Sequence, residues 1–189
     1  MSHKNHKNYF LVFLVIFIFG VISFTTNIMG PILTDIKTDL KLSATEESLL
    51  SAFFFIAYLF SVPVAVLAEK LGQKKIILLS FLISAIGCLL IGSYASTEVI
   101  MVCFFGIGLG MATLQVVINP LLRVAGGEEN FAFFSIVAQI AFGVAAYGAP
   151  PTQRWIGNNL DALQKSIFEP IMHPDYKWAA SYTVIFLII

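Results

Sequence analysis

Two carboxamides, Gln115 and Asn119, sit four residues apart inside Phe104–Arg123, FFGIGLGMATLQVVINPLLR, a stretch otherwise apolar enough to lie in lipid. At about 100° per residue, Gly108, Met111, Gln115 and Asn119 fall on one side of a helix, with Gly106 and Gly110 opposite as a small-xxx-small pair. An amide left unpaired in hydrocarbon costs roughly 2–7 kcal/mol. Both amides must therefore face a protein interior or a wet cavity, while the glycine side admits a close neighbouring helix. Two uses remain open: glue between helices, or the lining of a solute path.

Other chemistry is sparse. His3 and His6 have i, i+3 spacing in a polar tail with no Cys, Asp or Glu beside them, and His173 lies in a loop, so no metal site is read. Cys88 and Cys103 both lie in apolar stretches and read as free thiols used as small fillers. No nucleophile–base set and no phosphate loop is present, so neither an enzyme nor a cofactor is expected. Gly106-Ile-Gly-Leu-Gly110 has the look of a dinucleotide turn but sits mid-span with no strand before it.

The elements that must position the amides are membrane spans. Of the 189 residues, 58% are hydrophobic and 12% charged, against roughly 45–50% and 25% in a soluble domain. The net charge of zero and the lack of a basic patch exclude a nucleic-acid partner. A polar tail, residues 1–8, precedes five predicted spans at about 9–30, 48–67, 76–94, 99–122 and 131–149. The first runs 22 residues without a charge, about 33 Å of helix, and is too long for a signal peptide. Gly20, Ser23 and Asn27 share one of its faces, and Gly30-Pro31 closes it. Thr34–Glu47 reads as a charged connector in which Ser43-Ala-Thr-Glu46 is a capping box. Tyr58 is the hydrogen-bonding aromatic of the second span, on a face with Ser51 and Ser61. Ser135, Gln139 and Gly143 share a face of the fifth, which Pro150-Pro151 ends. Residues 151–177 form a long loop, with Leu160, Leu163 and Ile167 suggesting a short amphipathic helix. Trp178 marks the membrane interface, and 178–189 begins a sixth span too short to cross, so the chain reads as truncated.

Lysine placement gives orientation. The short connector after the second span holds Lys70, Lys74 and Lys75, while the connector after the third holds none. The N-terminus is therefore expected in the cytoplasm and the 151–177 loop outside, in a plasma (inner) membrane.

Ala65-x-x-x-Glu69-Lys70-x-Gly72-Gln73-Lys74 resembles the Gly-x-x-x-Asp-Arg-x-Gly-Arg-Lys motif between helices two and three of the major facilitator superfamily. The first glycine and the arginine at Gln73 are replaced. Gly72 relaxes the turn, and Glu69 with Lys70 is expected to form a charge lock against neighbouring helices, with Arg123 at the end of the fourth span. Leu114-Gln115-x-x-x-Asn119-Pro120 is similar to the Leu-Gln/Glu-x-x-x-Asn-Pro signature of the fucose–galactose–glucose symporter branch. Asn27-x-x-x-Pro31, Phe54-x-x-x-Tyr58-x-x-x-x-Pro63 and Gly127-Glu128-Glu129 followed by Gln139 fit that branch, with Trp178-x-x-x-Tyr182 a weaker echo. The resemblance implies an all-α membrane protein: the N-terminal six-helix half of a major facilitator fold, its sixth helix incomplete. Pro31-Ile-Leu33 and Pro120-Leu-Leu122 each follow an amide stripe, as two three-helix repeats would.

What it implies in function is alternating-access transport of a small solute, a sugar, with Asn27, Tyr58, Gln115, Asn119 and Gln139 contacting it and a missing C-terminal half as partner. The alternative is a truncated, non-transporting bundle whose amides only pack. Proton-coupled members of the branch carry carboxylates where Asn27 and Gln115 stand. An amide does not titrate near neutral pH, and the five predicted spans contain no Asp, Glu, Lys, Arg or His. Sugar binding survives this change, because an amide both donates and accepts, as a vicinal diol requires.

Overall fold

A computed structural model describes residues 7–94, 96–159 and 176–189. Its helices are α1 (Tyr9–Asp39), α2 (Ala44–Ile56), α3 (Ser61–Leu71), α4 (Gln73–Ser93), α5 (Thr97–Gly126), α6 (Phe131–Asn158) and α7 (Lys177–Ile188). Short 3-10 segments join α2 to α3 (Ala57–Phe60) and α5 to α6 (Glu128–Asn130). Among the described residues five helical stretches are long and apolar enough to cross a membrane, with α2 and its continuation counted as one. The fold is all-α. The suggested helix around Leu160, Leu163 and Ile167 and the histidines lie outside the described residues.

Two helices run further than their prolines suggest. α1 continues through Pro31 to Asp39, and α6 through Pro150 and Pro151 to Asn158. A proline removes one intrahelical bond, but tertiary packing outweighs that loss when the buried stripe continues beyond it. Ile28, Ile32 and Ile36, spaced four apart, are all fully buried. Ala149 and Ile156 do the same for α6. The supposed connector Thr34–Glu47 therefore shrinks to the residues between Asp39 and Ala44. Each helix extends nine residues past its apolar part, an overhang of about 13 Å.

The bundle core lies where α5 meets its neighbours. α1 packs along α6 and α5, α4 along α5 and α7, and α2 crosses α5. Glycines set how closely α5 is approached. A Cβ on Gly110 would stand 2.7 Å from the Ser80 carbonyl oxygen of α4. A Cβ on Gly108 would stand 2.2 Å from the Phe54 carbonyl oxygen of α2. Gly106 meets nothing nearer than Ile83 Cγ2 at 3.6 Å. Helix contact thus uses both faces of the glycine run.

The ends are tied off by local chemistry. Ser43 Oγ accepts from the Glu46 amide and the Glu46 carboxylate accepts from the Ser43 amide, the reciprocal box expected of that sequence. Gly72 alone joins α3 to α4 at φ 90° and ψ 138°, a conformation for which a side chain is strained. At the same end, Asn8 N–H donates to the Ala125 carbonyl at 3.0 Å and Lys7 pairs with Glu129 at 2.8 Å.

Trp178 is placed differently from expectation. It is fully buried, stacked on Tyr176 at 5.3 Å, and Tyr182 one turn on is buried as well. Tyr182 packs on Phe104 of α5, and Trp178, one turn before it, is enclosed within the bundle. Cys88 and Cys103 are free and buried on α4 and α5, as read from sequence.

Candidate functional site

The amides of α1 and α5 are held by their own helices. Asn27 Nδ2 donates to the Ser23 carbonyl at 2.8 Å and to Ser23 Oγ at 3.3 Å. Asn119 Nδ2 donates to the Gln115 carbonyl at 2.9 Å. These i→i−4 bonds fix each carboxamide on its helix face and leave its Oδ1 free of any partner among the described residues. Gln115 is half-buried and Asn119 exposed, and the Gln115 side chain bonds to nothing among the described residues. The prolines add acceptors: Pro31 and Pro120 have no N–H to give to the carbonyls of Asn27 and Val116, four residues before them.

Cross-helix hydrogen bonding is done by other side chains. Ser23, fully buried, donates from Oγ to the Phe142 carbonyl of α6 at 2.6 Å. The half-buried Tyr58, in the 3-10 segment after α2, lies near Thr26 of α1, whose Oγ1 donates to the Ile22 carbonyl at 2.8 Å. Phe54 and Phe55 pack around the Tyr58 ring, with centroids at 6.0 and 6.3 Å. Thr26 adjoins Asn27 in sequence, α2 crosses α5 at Phe54 and Gly108, and α1 packs along α5. Gln139 lies on an exposed part of α6, with no partner among the described residues. No side-chain to side-chain hydrogen bond joins any two of Asn27, Tyr58, Gln115, Asn119 and Gln139.

The turn motif differs from the charge lock expected of it. Among the described residues neither Glu69 nor Lys70 nor Lys74 makes an ion pair, and Arg123 pairs instead with Glu128 across the short turn after α5. Glu128 is five residues from Arg123, within reach across the turn. Glu69 lines a cleft of about 140 Å³ with Ala68, Gln73, Val116, Val117 and Pro120.

One polar pair was missed from sequence. Gln153 Nε2, on the α6 overhang, donates to Asp35 Oδ2, on the α1 overhang, at 2.6 Å. The continued spacing of Ile28, Ile32 and Ile36 past Pro31 was the signal that Asp35 is helical.

The Major Facilitator Superfamily profile matches residues 12–189. The chain belongs to the major facilitator superfamily. Within that superfamily it is similar to a glucose/galactose transporter of Brucella abortus biovar 1 (strain 9-941), with 29% identity over 123 residues, 63% of this chain and 29% of that one. It is also similar to an L-fucose-proton symporter of Haemophilus influenzae, with 26% identity over 121 residues, 62% of this chain and 28% of the other. The chain thus spans under a third of the length of these curated relatives. No solved structure matches it significantly. Membership of the superfamily makes it an integral membrane protein, and its described helices are consistent with half of a facilitator fold.

Proposed function

We propose that this chain supplies half of the binding site of a sugar transporter working by alternating access, completed by a C-terminal half of the same fold. The observation that carries the reading is the bonding of the amides. Were they glue, Asn27, Gln115 and Asn119 would bond across to neighbouring helices. Instead two of them are braced on their own helix and none bonds to another among the described residues. The relatives named for glucose, galactose and fucose support a sugar as solute. Free carboxamide oxygens, freed backbone carbonyls and the amide N–H groups of Gln115 suit hydroxyls, which donate and accept in turn. Asn27 and Tyr58 form one contact region, Gln115 and Asn119 a second, and Gln139 borders the open side of α6. Glu69, Lys70, Gly72, Lys74 and Arg123 belong to the cytoplasmic turns, with the N-terminus inside an inner plasma membrane.

The test is uptake of radiolabelled glucose, galactose and fucose into vesicles carrying the full-length parent, with Asn27→Ala and Gln115→Ala beside it. Sugar uptake that both substitutions weaken supports the reading. Uptake indifferent to both, or none of any sugar, refutes it.

A further inference from the structure

Two thiols that read as small fillers are brought to one junction of three helices. Gly87 of α4 faces α5: a Cβ there would stand 3.2 Å from the Cys103 carbonyl oxygen and 2.8 Å from Ile107 Cγ1. Gly92 of α4 faces α7: a Cβ there would stand 2.8 Å from Thr183 Oγ1. The two glycines are about 140° apart around α4, and Cys88, about 100° round from Gly87, points between α5 and α7. On α5, Cys103 and Ile107 are one turn apart and share the face turned to α4. On α7, Tyr182 reaches to α5, its ring 6.0 Å from that of Phe104. α4, α5 and α7 thus deliver Cys88, Cys103 and Tyr182 to one place, where both thiols lie within electrostatic range of each other and of the Tyr182 hydroxyl.

The junction is closed and carries a polar group left over. Cys88 is fully buried, Cys103 and Tyr182 nearly so, and Ile91, Ile100 and Ile107 of the same cluster are buried with them. Neither cysteine is in a disulfide. Tyr182 Oη is buried with no hydrogen-bond partner among the described residues, a costly state for a hydroxyl. We propose that Cys88 and Cys103 form a binding site for one soft divalent cation of the mercuric class, held in line between the two sulfurs, with the Tyr182 hydroxyl donating to a coordinated thiolate.

The donor set chooses the ion. Thiolates select soft metals, whereas carboxylates, carbonyls and water suit magnesium and calcium. Among the described residues no third histidine, cysteine or carboxylate joins the pair. Zinc, which takes four ligands, is therefore under-supplied, and an ion content with two is not. A lone thiolate in lipid is an uncompensated charge. Two thiolates on one divalent ion cancel it, so the complex is neutral and suits a site with no counter-charge. The step balances without electron transfer. Mercuric chloride, itself uncharged and able to enter the bilayer, exchanges two Hg–Cl bonds for two Hg–S bonds and releases two chloride ions and the two thiol protons. This inference stands apart from the solute reading, since it uses the packing of α4, α5 and α7 and none of the amides.

The chain has two cysteines in all, so every thiol signal belongs to this pair. The 189-residue chain in lipid nanodiscs is titrated with mercuric chloride in competition with glutathione. The sulfur-to-mercury absorption in the ultraviolet should reach its end point at one mercury per chain, with both thiols lost together to a thiol reagent. Cys88→Ala and Cys103→Ala should each weaken retention about a hundredfold or more, the advantage of a second linked ligand. Tyr182→Phe keeps its ring against Phe104 and should weaken retention about tenfold, the order for one hydrogen bond. Unchanged helix content by circular dichroism qualifies each variant, and the stoichiometry of the unaltered chain decides if one fails to fold. Mercury should also raise the midpoint of unfolding by dodecyl sulfate, while zinc chloride leaves it unmoved. Two mercury ions per chain, one thiol lost per mercury, mercury joining two chains, or a midpoint that zinc raises as far as mercury overturns the site. A Tyr182→Phe chain that retains mercury as well as the unaltered one refutes the part given to the hydroxyl.

Discussion

Replacing Gly108 by alanine isolates the crossing of α2 and α5. The new Cβ would lie 2.2 Å from the Phe54 carbonyl oxygen, about 0.8 Å short of the 3.0 Å below which such contacts are essentially unknown. The atom in the way is backbone, so no rotamer change relieves the clash, and the carbonyl carbon at 3.0 Å and Ala57 Cβ at 3.2 Å block a sideways shift. The helices must part, which costs about 1–3 kcal/mol, the range for overfilling a packed contact. Gly106→Ala is the internal control. Its nearest neighbour is 3.6 Å away, so it gains the helical preference of alanine over glycine, about 0.5–1 kcal/mol, without a clash. Two glycines two residues apart should thus give opposite signs. Unfolding in mixed micelles on titration with dodecyl sulfate, followed by circular dichroism, measures both. A Gly108→Ala chain as stable as Gly106→Ala would show that α2 and α5 do not cross at Phe54.

In the full-length parent, Gln115→Ala should weaken sugar binding by about 1–3 kcal/mol, the order for one lost partner in a buried site, and leave the pH profile of uptake unmoved between pH 5 and 8. A profile that shifts would mean the amide acts through a titrating group. Gly72→Ala should cost about 1–3 kcal/mol through its positive φ, read in the same unfolding assay; an unchanged midpoint would contradict the one-residue turn. Cysteines at Thr38 and Gln73 should be labelled by an impermeant thiol reagent from opposite sides of the membrane, Thr38 from outside. Labelling of Gln73 from outside would reverse the orientation.

Much of the fold could be read directly from the chain because its signals are local. Uncharged apolar runs mark the spans, Ser43 with Glu46 marks a helix start, and Gly72 marks a turn only glycine makes freely. The misjudged points are those where distant residues decide. Pro31 and Pro150-Pro151 read as stops because the bond they remove is local, while the packing of Ile32, Ile36 and Ile156 that overrides them is not. Gly108 was placed on the amide stripe correctly, but nothing in its neighbourhood says that α2 would press against it. Trp178 is a residue type common in interfacial anchors, and its burial depends on how α7 packs in the bundle. The amide positions were visible as residue types. Their bonding to their own helices was not, because a carboxamide that reaches back one turn and one that reaches across look the same in sequence.

The paired overhang of α1 and α6 has a mechanical meaning. Two helices that continue side by side about 13 Å past their apolar parts form a stiff post rooted in the bundle. A push on its tip is delivered to both roots as a common tilt, since Ser23 and Phe142 couple the two helices further down. The post is therefore a handle reachable from water. An antibody fragment gripping its polar faces would fix the inclination of two spans while leaving every lipid-facing side chain untouched.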